Sequence, residues 1–100
     1  MGKEEEKKEF YPLSVIGIDD DNDILHILRD VFRMMPDTRF AGFTDPELAF
    51  ESIDEAEYEM VVVDWKMPVI SGLAFLNRLR SLSQYQMVPV VVITGYLDPK

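Results

Sequence analysis

No cysteine occurs in the 100 residues, which excludes disulfides and thiolate metal sites and is compatible with a cytoplasmic protein. Histidine is limited to His26, which falls outside the apolar spacing of its segment and reads as a surface residue, not a ligand or phosphodonor. Basic residues are few: 10 Lys and Arg stand against 19 Asp and Glu, a net charge of −9. That balance argues against direct nucleic acid binding by this chain alone, because phosphate-backbone affinity comes from clustered Lys and Arg. It suits an acidic surface that faces solvent or a basic partner. No apolar run approaches the ~20 residues needed to cross a bilayer. The charged opening, Lys3-Glu4-Glu5-Glu6-Lys7-Lys8-Glu9, is not followed by the apolar stretch of a signal peptide, so no membrane association is expected.

What the chain does have is 47% apolar content, enough for the core of one small domain. Residues 1–12 lack periodicity and read as a charged leader or linker; 13–100 form the domain. Within it, short apolar runs alternate with helical spacing. Residues 14–18 form a continuous apolar run of the kind found in strands covered on both faces. Asp21, Asn22 or Asp23 can cap a helix with Ile24, Ile27, Leu28, Val31, Phe32 and Met35 turned inward, ended by Pro36-Asp37. Residues 39–43 read as a second strand. Thr44-Asp45-Pro46-Glu47 opens a helix to about Ala56 that buries Leu48, Ala49 and Ile53. Residues 59–63 are a third strand. Ser71-Gly72 opens a helix through about Leu82, with Leu73, Leu76 and Leu79 inward and Arg78 and Arg80 outward. Pro89 precedes a fourth strand, Val90–Ile93. This βαβαβαβ order predicts an α/β fold with a parallel sheet and helices on both faces.

In such open sheets ligands collect at the carboxyl ends of the strands. The run Val15-Ile16-Gly17-Ile18 ends in Asp19-Asp20-Asp21, and Met60-Val61-Val62-Val63 ends in Asp64. Two like charges ~4 Å apart repel by roughly 4 kcal/mol at an effective dielectric near ~20. A cluster of this kind therefore protonates or holds a hard cation. Asp64 is the leading candidate, because Trp65-Lys66-Met67-Pro68 and Gly72 follow it in a pattern that a solvated loop acid does not require. Asp21 reads as a plain helix cap. Trp65 sits where its fluorescence would report a bound ion.

Taken together and in order, Val15-Ile-Gly-Ile-Asp-Asp-Asp, Val61-Val-Val-Asp-Trp-Lys-Met-Pro with Gly72, and Val90-Val-Val-Ile-Thr-Gly-Tyr resemble the receiver domain of two-component response regulators over residues 14–98. The resemblance implies a flavodoxin-like, doubly wound sheet of strand order 2-1-3-4, with the usual fifth strand missing. It implies that Asp64 is the phosphoacceptor and that Asp19, Asp20, Asp64 and the Lys66 backbone carbonyl hold Mg2+ (or Mn2+). Thr94 matches the hydroxyl that contacts the phosphoryl group and switches, and Gly95 the small residue that lets that group approach. The implied donor is a phosphohistidine on a sensor histidine kinase or a histidine phosphotransfer protein, and output passes to an effector domain or partner outside the chain.

The family's fifth-strand lysine has no match, since Lys100 comes too early and follows the helix-start signal Asp98-Pro99. Tyr96 is read as loop packing, not as a replacement for the family's switch aromatic. Without a fifth strand, Val90–Ile93 is expected to be a bare apolar edge that invites self-association or domain swapping. Two other readings compete. One is a receiver-fold scaffold that is not phosphorylated. The other is a phosphohydrolase resembling the haloacid dehalogenases, with Asp19 as nucleophile and Asp21 as general acid. That reading leaves Asp64 and Met67-Pro68 without a purpose and lacks the group's Gly-Thr-like continuation after Asp21.

Overall fold

The computed structural model describes residues 13–93. Its order is β1 (Leu13–Ile18), α1 (Asn22–Arg33), β2 (Thr38–Phe43), α2 (Pro46–Glu55), β3 (Met60–Asp64), α3 (Gly72–Arg80), a 3-10 turn (Ser83–Tyr85) and β4 (Val90–Ile93). All strand pairs are parallel, in the order β2-β1-β3-β4. This is the flavodoxin-like, doubly wound sheet that the family resemblance implies; the apolar runs and helical spacings predict its parallel strands, each within a residue or two of its expected bounds.

Each helix starts where its capping residue predicts. The carboxylate of Asp21 accepts from Asp23 N–H at 2.9 Å, that of Asp45 from Glu47 N–H at 2.9 Å, and Ser71 Oγ from Ala74 N–H at 3.1 Å. Each bond satisfies a donor that the first helical turn leaves without a partner. The helices occupy both sheet faces. On one, α1 covers Val15 and Val62 through Phe32, with Leu28 and Phe40 partly buried beside them. On the other, Ile16, Ile18, Val61 and Val63 pack with Ala49, Phe50 and Ile53 of α2 and Phe75 and Leu79 of α3. The Phe50 and Phe75 rings lie 4.6 Å apart, and the Arg78 guanidinium stands 3.9 Å from the Phe50 centroid while pairing with Glu47 at 2.8 Å. Between α1 and β2, Asp37 takes φ 59°, a left-handed conformation that a short polar side chain tolerates better than most.

Several inward expectations are corrected. In α1, Ile27, Val31 and Met35 are exposed, and the residues that bury are Leu25 and Phe32. The helix lies mainly along β2 and presents one edge of its wide apolar stripe to the sheet, leaving the other edge uncovered among the described residues. In α2, Leu48 is exposed and Phe50 is buried, because the contact row runs Pro46, Ala49, Phe50, Ile53. In α3, Leu73 is exposed, being turned roughly 100° from Gly72 on the helix, and Phe75 takes the core position. That helix also ends at Arg80, short of Leu82, and Arg80 is not a plain outward charge. Its Nη1 donates to the carbonyls of Tyr85 and Val88, both at 2.8 Å.

Candidate functional site

The parallel register brings Asp19 and Asp64 to the same end of neighbouring strands, since Ile18 pairs with Val63 and each carboxylate follows directly. One carboxylate oxygen from each of Asp19, Asp20 and Asp64 falls within 4.8 Å of the others. Asp19 and Asp64 are buried, at 4% and 8% exposure, whereas Asp20 is exposed. The three predicted carboxylates therefore converge, with two forming the floor and one the open side.

Local backbone fixes the two buried members. Asp19 N–H donates to Phe43 carbonyl at 3.1 Å, holding the end of β1 to β2, and Asp19 Oδ1 accepts from Asp21 N–H at 2.9 Å. Asp64 Oδ1 accepts from Lys66 N–H at 3.3 Å. The loop after Asp64 is anchored by Met67 and Ile70, both packed against the core. It is closed by Gly72 N–H donating to Trp65 carbonyl at 2.9 Å, while Trp65 N–H donates to Ile93 carbonyl at 2.9 Å. Gly72 is needed for this closure: a Cβ there would lie 2.6 Å from the Asp64 carbonyl oxygen and 2.9 Å from Trp65 Cα. The sequence pattern singles out Gly72 without revealing this contact, which depends on how α3 returns behind β3.

The electrostatics follow from the geometry. Burial first, and then the charges of Asp64, Asp20 and Asp21, push the Asp19 carboxyl up to about 6 against the lowering effect of the Asp21 N–H. Asp64 is raised as well, first by burial and then by Asp20, with the Lys66 N–H opposing. Two buried acids and a third beside them form an all-oxygen donor set. The donor chemistry fits a hard divalent cation, which prefers carboxylate oxygens and keeps part of its water shell. Lys66 is an exposed loop residue whose amide serves Asp64. Trp65 is 39% exposed at the rim, and His26 lies on the exposed side of α1. Ile93, the last described residue of β4, is the register partner of Asp64. Thr94, Gly95, Tyr96 and Lys100 lie outside the described residues, as does the leader 1–12.

No helix among the described residues is long and apolar enough to cross a membrane. The family model of the response regulator receiver domain matches residues 15–100. The chain is 29% identical over 83 residues to a cyclic di-GMP phosphodiesterase response regulator, RpfG, of Xanthomonas campestris pv. campestris, covering 82% of this chain and 22% of that protein. It is 34% identical over 87 residues to a protein-glutamate methylesterase/protein-glutamine glutaminase of Methylobacillus flagellatus, covering 86% of this chain and 24% of that protein. The chain thus spans under a quarter of the length of either relative. In fold it is similar to the chemotaxis protein CheY4 of Vibrio cholerae, with a TM-score of 0.80 at 23% identity over 87% of this chain and 72% of that one. The sheet order, the acids at the ends of β1 and β3 and the family match agree: the chain belongs to the response regulator receiver domain family.

Proposed function

We propose that the chain is a phosphoacceptor that takes a phosphoryl group onto a carboxylate oxygen of Asp64 in a Mg2+-dependent step. The observation that carries this reading is the approach of the Asp19, Asp20 and Asp64 oxygens to within 4.8 Å of one another at the strand ends. A carboxylate can act as the nucleophile in a covalent phosphoenzyme, and phosphoryl transfer depends mainly on positioning and charge neutralisation. Asp19, Asp20, Asp64 and the Lys66 backbone carbonyl would hold Mg2+ (or Mn2+), which supplies the charge neutralisation that lets an anionic donor approach an anionic acceptor. The chain's own residues do the rest. The Lys66 N–H orients Asp64, and the Asp21 N–H holds Asp19 on the floor of the site. Thr94, next in the chain after Ile93, would contact the transferred group and move with it, with Gly95 leaving room beside it.

The donor is a phosphohistidine on a sensor histidine kinase or a histidine phosphotransfer protein, in a cytoplasmic phosphorelay, and catalysis extends to the chain's own phosphorylation and dephosphorylation. Output passes to an effector domain or partner. Two relatives are named for phosphodiesterase and methylesterase activities, which supports an effector outside the matched region. The edge position of β4 supports self-association as a further property.

The test is incubation with Mg2+ and acetyl phosphate, followed by borohydride trapping of any acyl phosphate and mapping of the reduced residue. Label at Asp64 that requires Mg2+ is the expected result. Label at Asp19 would indicate the hydrolase chemistry instead. Absence of label from both acetyl phosphate and a phosphorylated kinase would leave a scaffold.

A further inference from the structure

The rim opposite the acidic cluster holds a cavity of about 360 Å3. It opens where the α2–β3 connection meets the turn before β4, and Glu57, Tyr58, Glu59, Tyr85, Met87 and Pro89 line it. Its described lining contains two carboxylates and no basic residue. Tyr85 forms the buried floor at 1% exposure, while Met87 stands at the mouth at 90% exposure.

Both walls are tied down. Tyr85 Oη accepts from Tyr58 N–H at 3.0 Å and donates to Ala56 carbonyl at 3.3 Å, joining one wall to the other. Tyr58 Oη is fixed to Ser52 Oγ at 2.6 Å, and Glu59 Oε1 accepts from Ser14 N–H at 2.6 Å. Behind the second wall, the Arg80 guanidinium holds the Tyr85 and Val88 carbonyls. None of these bonds serves the Asp64 site, and together they fix the walls of the cleft. Burial raises the Tyr85 hydroxyl against the Tyr58 N–H, and Glu57 and Glu59 push it the same way as burial, as expected of a negative potential inside the cleft.

We infer that this cleft is a docking site for a basic peptide segment of a partner protein, seating an arginine side chain against the half-buried Tyr58 with its guanidinium toward the exposed Glu57 and Glu59. Charge complementarity selects the occupant. A guanidinium is planar and weakly hydrated, so it can leave water for an aromatic wall and still meet carboxylates. The apolar rim of Met87 and Pro89 suits a hydrophobic residue next to that arginine, and a thioether adapts readily to such contacts. A net charge of −9 on the chain favours the approach of a basic segment.

The experiment is a titration of the 15N-labelled full chain, with saturating Mg2+ present, using a blocked pentapeptide with a central arginine flanked by leucines. The expected result is saturable shifts confined to the amides of residues 57–59 and 84–88. Replacing the arginine by citrulline abolishes them, and Glu57→Gln weakens binding about fivefold, the effect of one exposed charge contact. Glu57 is exposed and outside the core, so this variant keeps the fold. Shifts at residues 19–20 and 64–66 instead, equal response to the citrulline peptide, or unchanged affinity in Glu57→Gln would each overturn the assignment. The readout lies on the far rim from Asp64 and needs no phosphorylation, so its failure is distinguishable from failure of the phosphoacceptor reading.

Discussion

Gly72 packs against the backbone of Asp64 so closely that a Cβ at position 72 would stand 2.6 Å from the Asp64 carbonyl oxygen. The first residue of α3 therefore sets the position of the peptide that carries the proposed nucleophile. Gly72→Ala should cost about 1–3 kcal/mol, because a methyl group meets backbone and not a flexible side chain. The usual gain in helix propensity from Gly to Ala, about 1 kcal/mol, would not offset the displaced loop. Urea unfolding measures the stability loss. Titration of Trp65 fluorescence with Mn2+ measures the accompanying loss of cation affinity, and unchanged values in both would refute the proposed coupling between the two residues.

The buried acids give the metal-free chain an unusual pH response. Asp19 is raised to about 6 and Asp64 is raised as well, both first by burial. The folded state then holds protons that the unfolded chain has released, so these groups favour folding below the ordinary carboxylate range near 4. That contribution disappears as pH rises toward and through about 6. Stability without divalent cation should thus fall from pH 4 to pH 7, by at most about 3 kcal/mol for Asp19. Asp19→Asn should flatten the profile, since its side-chain oxygen can still accept from Asp21 N–H without carrying charge. Saturating Mg2+ should invert the trend above pH 6, adding about 2.7 kcal/mol at a hundredfold excess over its dissociation constant. Denaturant melts across pH, with Mg2+ or with EDTA, provide the comparison.

Asp19, Asp20 and Asp64 were legible as a cluster because each apolar run stops abruptly in acid and parallel strands present equivalent ends on one rim. The caps Asp21, Asp45 and Ser71 were legible for a similarly local reason, as each acts within three residues of itself. Contacts made by returning chain were not. The spacing of α1 gives the width of its apolar stripe but not which edge meets the sheet, so it points Ile27 and Val31 inward and passes over the buried Leu25. Arg80 reads as a surface charge until the 3-10 turn folds the carbonyls of Tyr85 and Val88 around it. Tyr85 lies between periodic segments, where no pattern signals burial. The place of Gly72 after Asp64 marks it in the sequence, and only the path of α3 supplies the reason.

Tyr85 joins two connections through its hydroxyl, which accepts from Tyr58 N–H and donates to Ala56 carbonyl. Tyr85→Phe keeps the ring in the core and removes only those bonds, leaving a part-buried N–H without its acceptor. The expected cost is about 1–3 kcal/mol, the range for stranding a buried donor. Hydrogen exchange at the Tyr58 amide should accelerate by more than that at Val61 or Val63, because the loss is local to the connection. Uniform acceleration would mean that the hydroxyl bonds contribute to global stability alone.

The last strand carries the final prediction. In the order β2-β1-β3-β4, β4 pairs with β3 on one side and is the sheet edge among the described residues. Its Val91 and Val92 are each 44% exposed, and successive strand residues point to opposite faces, so both faces of this edge present apolar surface. An apolar, uncharged edge strand offers backbone donors and acceptors to another copy of itself. Opposing this, the net charge of −9 repels a second copy over distances near the ~8–10 Å Debye length at moderate salt. Association should therefore strengthen with added NaCl, the opposite of what an electrostatic interface would show. Sedimentation velocity from low to high protein concentration should reveal a salt-promoted dimer in the parent chain, and Val92→Lys should weaken it by placing a charge on the edge. A compact monomer at every concentration and salt level would show that β4 is protected by some other means.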